Sequence, residues 1–185
     1  INEQPGHSIG CDNIGGGFQA TRHLLDAGRR KIAFLGSTSR RCPEFAARYE
    51  GYCNALLAAG LAPQSRDQVD AENVGRLGFQ ATRELIASGS EFDAIFAATD
   101  VIAIGAMRAL QEHGLDVPKD VAVVGFDDMP LAAHVTPALT TVRQDIREAS
   151  EALVESIVGL IKGQPVESAL MAPRLIIRES CGSNR

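Results

Sequence analysis

Three short apolar runs, at residues 32–35 (IAFL), 94–98 (AIFAA) and 121–124 (VAVV), carry no polar residue at alternate positions. A strand with one face in water alternates apolar and polar side chains. A run without alternation suits a strand buried on both faces, as in a parallel sheet covered by helices on either side. Between the runs, apolar residues recur at intervals of three and four. Ala20, Leu24 and Ala27 precede Gly28; Tyr49, Tyr52, Cys53, Leu56 and Leu57 precede Gly60; Leu77, Ala81 and Leu85 form a third stripe; Ala103, Ala106, Met107 and Leu110 end before Gly114 and Pro118. Each stripe reads as a helix and each following glycine as its stop. One strand and its helix occupy about 30 residues, the length of a right-handed crossover. The expected fold class is therefore α/β, an open, doubly wound, mostly parallel sheet.

The remaining segments are weaker. Residues 67–70 predict an edge strand with little apolar weight. Beyond Asp128, Pro130 and Pro137 bracket an irregular stretch, and Thr140, Thr141 and Val142 read as a strand. A long helix follows through Ile146, Ala149, Leu153, Ile157 and Ile161, ended by Gly163 and Pro165. Leu175, Ile176 and Ile177 predict a last strand, and the polar tail from Glu179 to Arg185 is expected to fray.

Charge and motif content narrow the function. The net charge is −5, and the eighteen Lys and Arg residues are scattered. Binding to a phosphate backbone needs clustered positive charge, so these residues are not expected to hold nucleic acid themselves. Cys11, Cys42, Cys53 and Cys181 show neither CxxC spacing nor histidine companions, and read as reduced cytoplasmic thiols rather than metal ligands. No run of about 18 apolar residues is present to cross a bilayer. Gly15, Gly16 and Gly17 do not follow a strand in the GxGxxG pattern, and no phosphate loop, HExxH or GxSxG elbow occurs. Neither a cofactor nor catalysis is expected.

In open α/β sheets, ligands lie beyond the carboxyl ends of the strands. Those ends are Gly36 and Ser37 with a polar loop to Arg48, then Glu72 and Asn73, then Thr99 and Asp100, then Gly125, Phe126, Asp127 and Asp128. Carboxylates, amides and one guanidinium suit a ligand rich in hydroxyl groups. Each residue also has an ordinary structural use. Asp100 is expected as a helix N-cap, Thr99 stands evenly between cap and pocket lining, and one of Asp12 and Asn13 is a cap. Arg48 has Glu44 and Glu50 as nearby surface partners. A turn accounts for one of Asp127 and Asp128, not for both.

Several stretches, in order and spacing, resemble the lactose-repressor (LacI-type) family of bacterial transcription regulators. They are Gly10 to Asn13, Gly28 to Ala33, Arg48 to Tyr52, Phe92 to Ala97, Val117 to Val121, Val124 to Asp128, Pro137 to Val142, and Pro173 to Ile176. The resemblance covers nearly the whole chain. It implies a two-lobed effector domain shaped like a periplasmic sugar-binding protein, of which this chain is the C-terminal lobe with remnants of the other. Residues 13–144 would form the C-terminal lobe, 1–12 and 145–162 the remnants of the N-terminal lobe, 163–180 the return to the C-terminal lobe, and 181–185 a tail. The resemblance implies that Arg48 and Asp127 bind a small-molecule effector, a sugar, sugar derivative or nucleoside-like compound. Asn73 and Thr99 would line the same pocket, at positions where the family often has an aromatic residue and an asparagine. It further implies a cytoplasmic homodimer that reads DNA only through an N-terminal helix-turn-helix absent from this chain, with the effector controlling operator binding allosterically. A periplasmic sugar-binding protein of a transporter shares the fold and stands as the alternative.

Overall fold

The computed structural model describes residues 7–38, 42–63, 68–69 and 77–182. Along the chain, β1 (Ile9–Cys11) leads through α1 (Asn13–Asp26) to β2 (Ile32–Leu35), and α2 (Pro43–Ala58) precedes β3 (Gln68–Val69). Then follow α3 (Leu77–Ala87), β4 (Ala94–Ala97), α4 (Asp100–Glu112) and β5 (Ala122–Asp127). A short 3-10 turn at Pro130–Ala133 leads to β6 (Thr140–Arg143), α5 (Ile146–Ile161), β7 (Ala169–Met171) and β8 (Arg174–Ile176).

The three apolar runs become neighbours. β2 pairs with β4 and β4 with β5, all parallel, in a six-stranded sheet of order β3-β2-β4-β5-β6-β8 whose last pair is antiparallel. Every residue of β2 and β4 is buried, as runs without alternation require. The sequence expected residues 67–70 at an edge, and the described part, β3, pairs only with β2 at the end of the sheet. Phe34 and Phe96, opposite each other on β2 and β4, meet edge-on at 5.5 Å between centroids. Tyr52 of α2 packs against Phe34, and its hydroxyl donates to the Ile32 carbonyl at 2.7 Å, so a buried phenol keeps a partner.

From β2 the chain moves to β3 on one side, then returns past β2 to β4 on the other. That reversal opens a crevice at the carboxyl ends of β2 and β4. Helices α1 and α2 cross beside it at very short range. A Cβ placed on Gly17 would run into the Arg48 carbonyl, and one on Gly51 would run into the Ile14 carbonyl. Only glycine permits that approach, and it brings the start of α1 against the second turn of α2.

Three expectations need correcting. The polar loop expected to reach Arg48 ends at Cys42, because Pro43 opens α2 and Arg48 lies on that helix. The tail does not fray at Glu179. Ser180 and Cys181 are buried, and the Ser180 hydroxyl donates to the Val123 carbonyl at 2.6 Å while accepting from the Thr140 amide at 2.8 Å. Within 163–180, β7 pairs with β1 in a separate two-stranded sheet, and the return to the large sheet comes with β8. Helix α5 packs beside β1, and the chain leaves Ile146, Leu153, Val154, Ile157 and Ile161 exposed along it. Among the described residues no helix is long and apolar enough to cross a membrane.

The helix crossing makes a prediction. Gly→Ala inside a helix ordinarily stabilises by up to about 1 kcal/mol. At Gly51 the added methyl meets backbone, so Gly51→Ala is expected to lower unfolding free energy by about 1–3 kcal/mol in urea denaturation. A gain in stability would contradict the close crossing.

Candidate functional site

The crevice contains a buried cation. Arg48, 4% exposed, projects from α2 towards the carboxyl ends of β4 and β5. Its Nε donates to Asn13 Oδ1 at 2.8 Å and its Nη1 to the Ala98 carbonyl at 2.5 Å. The guanidinium lies 3.7 Å over the Phe126 ring, close enough for a cation–π contact. Asp127 Oδ1 is 3.5 Å from Nη1, an ion pair too long for a good hydrogen bond. Burial lowers the Arg48 pKa and Asp127 opposes that shift, so the charge is held by its surroundings rather than by water.

Capping gives the two residues of each pair different uses. At α1, Asp12 accepts the Gly15 amide at 2.8 Å as N-cap, which releases Asn13, the first residue of the helix, to hold Arg48. At α4 the expectation that Asp100 is the cap is wrong. Thr99 is the cap, its hydroxyl accepting from the Ile102 amide at 3.3 Å. Asp100 is instead fully buried. Its Oδ2 accepts the Met129 amide at 2.7 Å and its Oδ1 the Thr141 hydroxyl at 2.5 Å.

The two adjacent acids after β5 point apart. Both have positive φ, +110° at Asp127 and +52° at Asp128, in a turn that side-chain residues rarely adopt. Asp128 turns into the protein and accepts from Arg143 and Arg178, each at 2.6 Å; these partners outweigh its desolvation and lower its pKa. Asp127 faces the crevice, where burial raises its pKa while Arg48 and a 2.7 Å bond from Gln144 Nε2 oppose the rise. The structure thus brings Arg48, Asp127 and Thr99 to one end of the sheet. Asn73 lies outside the described residues. Asn13 and Gln144 hold the pair in place, and Asn13 was legible only as half of a capping alternative.

What this arrangement offers is one donor and one acceptor side by side. Among the described residues no hydrogen bond engages Arg48 Nη2 or Asp127 Oδ2, and a hydroxyl group could donate to the second while accepting from the first. The half-buried Cys11 thiol lies near the pair, but burial raises its pKa and so disfavours the thiolate, and Arg48 is a poor proton carrier. A groove of about 400 Å³ along the outer side of α4, lined by Ile104, Met107, Leu115 and Val135 among others, is remote from this pair.

Comparison with known proteins identifies the family and the fold. The periplasmic binding protein-like domain family matches residues 21–181. The transcriptional regulator CelR of Thermobifida fusca is 35% identical over 182 residues, 97% of this chain and 53% of the relative. A solved structure of a CelR–cellobiose complex superposes with a TM-score of 0.89 at 35% identity, covering 97% of this chain and 55% of that one. A sugar-binding regulator of the LacI family from Escherichia coli, solved with phosphate, gives a TM-score of 0.89 at 31% identity, covering 97% and 65%. The chain spans about half the length of the curated relatives it matches.

Asp100 supplies a pH signature. Desolvation raises its pKa from 3.8 to about 6, against the hydrogen bonds from Thr141 and Met129 that lower it, with Asp127 and Asp128 adding to the rise. The native state therefore keeps this proton to higher pH than the unfolded chain does, and its contribution to stability is lost as pH rises between about 4 and 6. In denaturation across that window, the stability of wild type relative to Asp100→Asn is expected to fall as pH rises. A pH-independent difference would contradict the raised pKa.

Proposed function

The chain belongs to the periplasmic binding protein-like domain family, in the form carried by LacI-type transcription regulators, and from that membership we propose that it is the effector-sensing part of such a regulator. The observation that carries the reading is the buried Arg48 set beside Asp127 at the carboxyl ends of β4 and β5, next to the reversal of the sheet. Arg48 donates to a ring or hydroxyl oxygen of the effector and Asp127 accepts from its hydroxyl groups. Thr99 borders the same space, and Asn73, which lies outside the described residues, is proposed as a further effector contact from the family resemblance alone. The effector class is a sugar, a sugar derivative or a nucleoside-like compound, and the protein binds it without turning it over.

The domain divides as follows. Residues 13–144 and the chain from β8 onward form one lobe, while β1, α5 and β7 belong to a second lobe that closes over the crevice. The support is that β1 and β7 form their own sheet, and that α5 presents an unpartnered apolar stripe. The effector favours one arrangement of the lobes, and a cytoplasmic homodimer passes that choice to helix-turn-helix segments that read the operator. The groove along α4, which mixes Ile104, Met107 and Leu115 with Arg108 and Asp116, is the surface given to the second protomer. A transporter's periplasmic sugar-binding protein is not favoured, since the Thermobifida fusca relative and those from Escherichia coli, AscG and GalR, are transcriptional regulators.

Isothermal titration of the regulator with cellobiose, ribose, galactose and their phosphates tests this reading. Removing one charged hydrogen bond costs about 1.5–3 kcal/mol, so Arg48→Ala or Asp127→Ala is expected to weaken the bound compound about 10- to 150-fold. Binding that survives both substitutions unchanged would place the effector elsewhere.

A further inference from the structure

Asp127 serves the crevice only if the turn after β5 holds it there, and that turn is strained. Residues other than glycine at positive φ cost about 1–3 kcal/mol each and persist where surrounding contacts over-determine them. Two consecutive residues, Asp127 and Asp128, are in that condition. Asp128 has its own anchors in Arg143 and Arg178, but these fix its side chain, not the backbone on either side of it.

Asp127 is the last rung of the β5–β6 ladder, opposite Arg143, and the amides that follow it are held from Asp100. One carboxylate oxygen takes the Met129 amide, just past the turn. The other takes the Thr141 hydroxyl, and the same hydroxyl accepts the Asp128 amide at 3.3 Å. Two successive amides of the turn are thus held by one carboxylate, the first through a threonine relay on β6 and the second directly. Space for this carboxylate is reserved: a Cβ on Gly125 of β5 would collide with Asp100 Oδ1. Asp100 touches neither Arg48 nor Asp127 by any hydrogen bond among the described residues, and no part of it is exposed to a ligand.

We propose that Asp100, acting through Thr141 and the amides of Asp128 and Met129, is the positioning residue that sets the backbone of Asp127 and so aims its carboxylate at Arg48. The inference rests on the reading of Asp127 as an effector contact for its importance, but the geometry it asserts concerns the ligand-free protein. The helix start that ends β4 and the turn that ends β5 are thereby one unit, and the crevice's acid is set from behind by a second acid that the ligand never meets.

The test uses isotope-labelled protein without any effector, which separates its failure from a failure of the functional reading. The three-bond HN–Hα coupling of Asp127 is small at a φ of +110° and large in ordinary extended backbone. The Gln144 side-chain amide, bonded to Asp127 Oδ1, reports the carboxylate. In Asp100→Asn and in Thr141→Val, the coupling is expected to rise towards the extended value and the Gln144 resonances to leave their wild-type positions. Thr141→Ser, which keeps the hydroxyl, is expected to retain both. A role in stability alone would lower the unfolding midpoint of the variants while leaving the coupling and the Gln144 signals unchanged, and that result would overturn the proposal. Should Asp100→Asn not fold, Thr141→Val against Thr141→Ser decides by the same two signals.

Discussion

A guanidinium buried to 4% exposure is the constraint around which this end of the molecule is built. Left without partners, a buried charge costs several kcal/mol, and arginine does not escape by losing its proton. Arg48 is met from different parts of the chain: Asn13 at the start of α1, the Ala98 carbonyl just beyond β4, and Phe126 with Asp127 at the end of β5. Satisfying the charge therefore fixes how α1, α2, β4 and β5 converge. The glycine crossing of α1 and α2 is what lets the helix carrying Arg48 come close enough for Asn13 to reach it. The same contacts leave part of the guanidinium and one Asp127 oxygen free of hydrogen bonds among the described residues, so the structural use of the arginine and its proposed ligand-binding use do not compete.

The adjacent acids show how two like charges are kept compatible. Asp128 is neutralised by Arg143 and Arg178, which tie the end of β5 to β6 and to the segment after β8. Asp127 is left to Arg48 and Gln144. Gln144 lies between β6 and α5, so the carboxylate in the crevice is bonded directly to the segment through which the chain passes from the large sheet to the helix beside β1. Occupation of Asp127 by another partner would act on that segment, the physical connection an allosteric reading needs.

Much of this was legible in the sequence, and the failures have definite causes. The runs at 32–35, 94–98 and 121–124 are short-range signals, and they gave the parallel sheet because absence of alternation has one main structural meaning. The stops at Gly28, Gly60, Gly114 and Gly163 all have positive φ, as helix ends require. Arg48 and Asp127 were found from their places at strand ends and from the family resemblance. The helix before Gly60 was read from Tyr49 onward, and its first turns, which carry Arg48, were given to the loop although Pro43 marks its start, because the residues ahead of Tyr49 are polar enough to look like a continuing loop. Thr99 and Asp100 are both good caps, and which one caps depends on whether a buried acceptor is wanted by Met129 and Thr141, residues 29 and 41 positions away. Ser180 and Cys181 look like tail by composition. Their burial comes from bonds to Val123 and Thr140, partners that no local pattern displays.

The central claim is that a hydroxyl-bearing effector sits between Arg48 and Asp127 at the carboxyl ends of β4 and β5. The most direct measurement is a crystal structure of the protein with the effector selected by titration. The account predicts a ligand hydroxyl or ring oxygen at about 2.7–3.1 Å from both the guanidinium and the Asp127 carboxylate, with the Arg48–Asn13 and Arg48–Ala98 bonds kept. A ligand lodged instead in the groove along α4, with the Arg48–Asp127 pair empty, would contradict it.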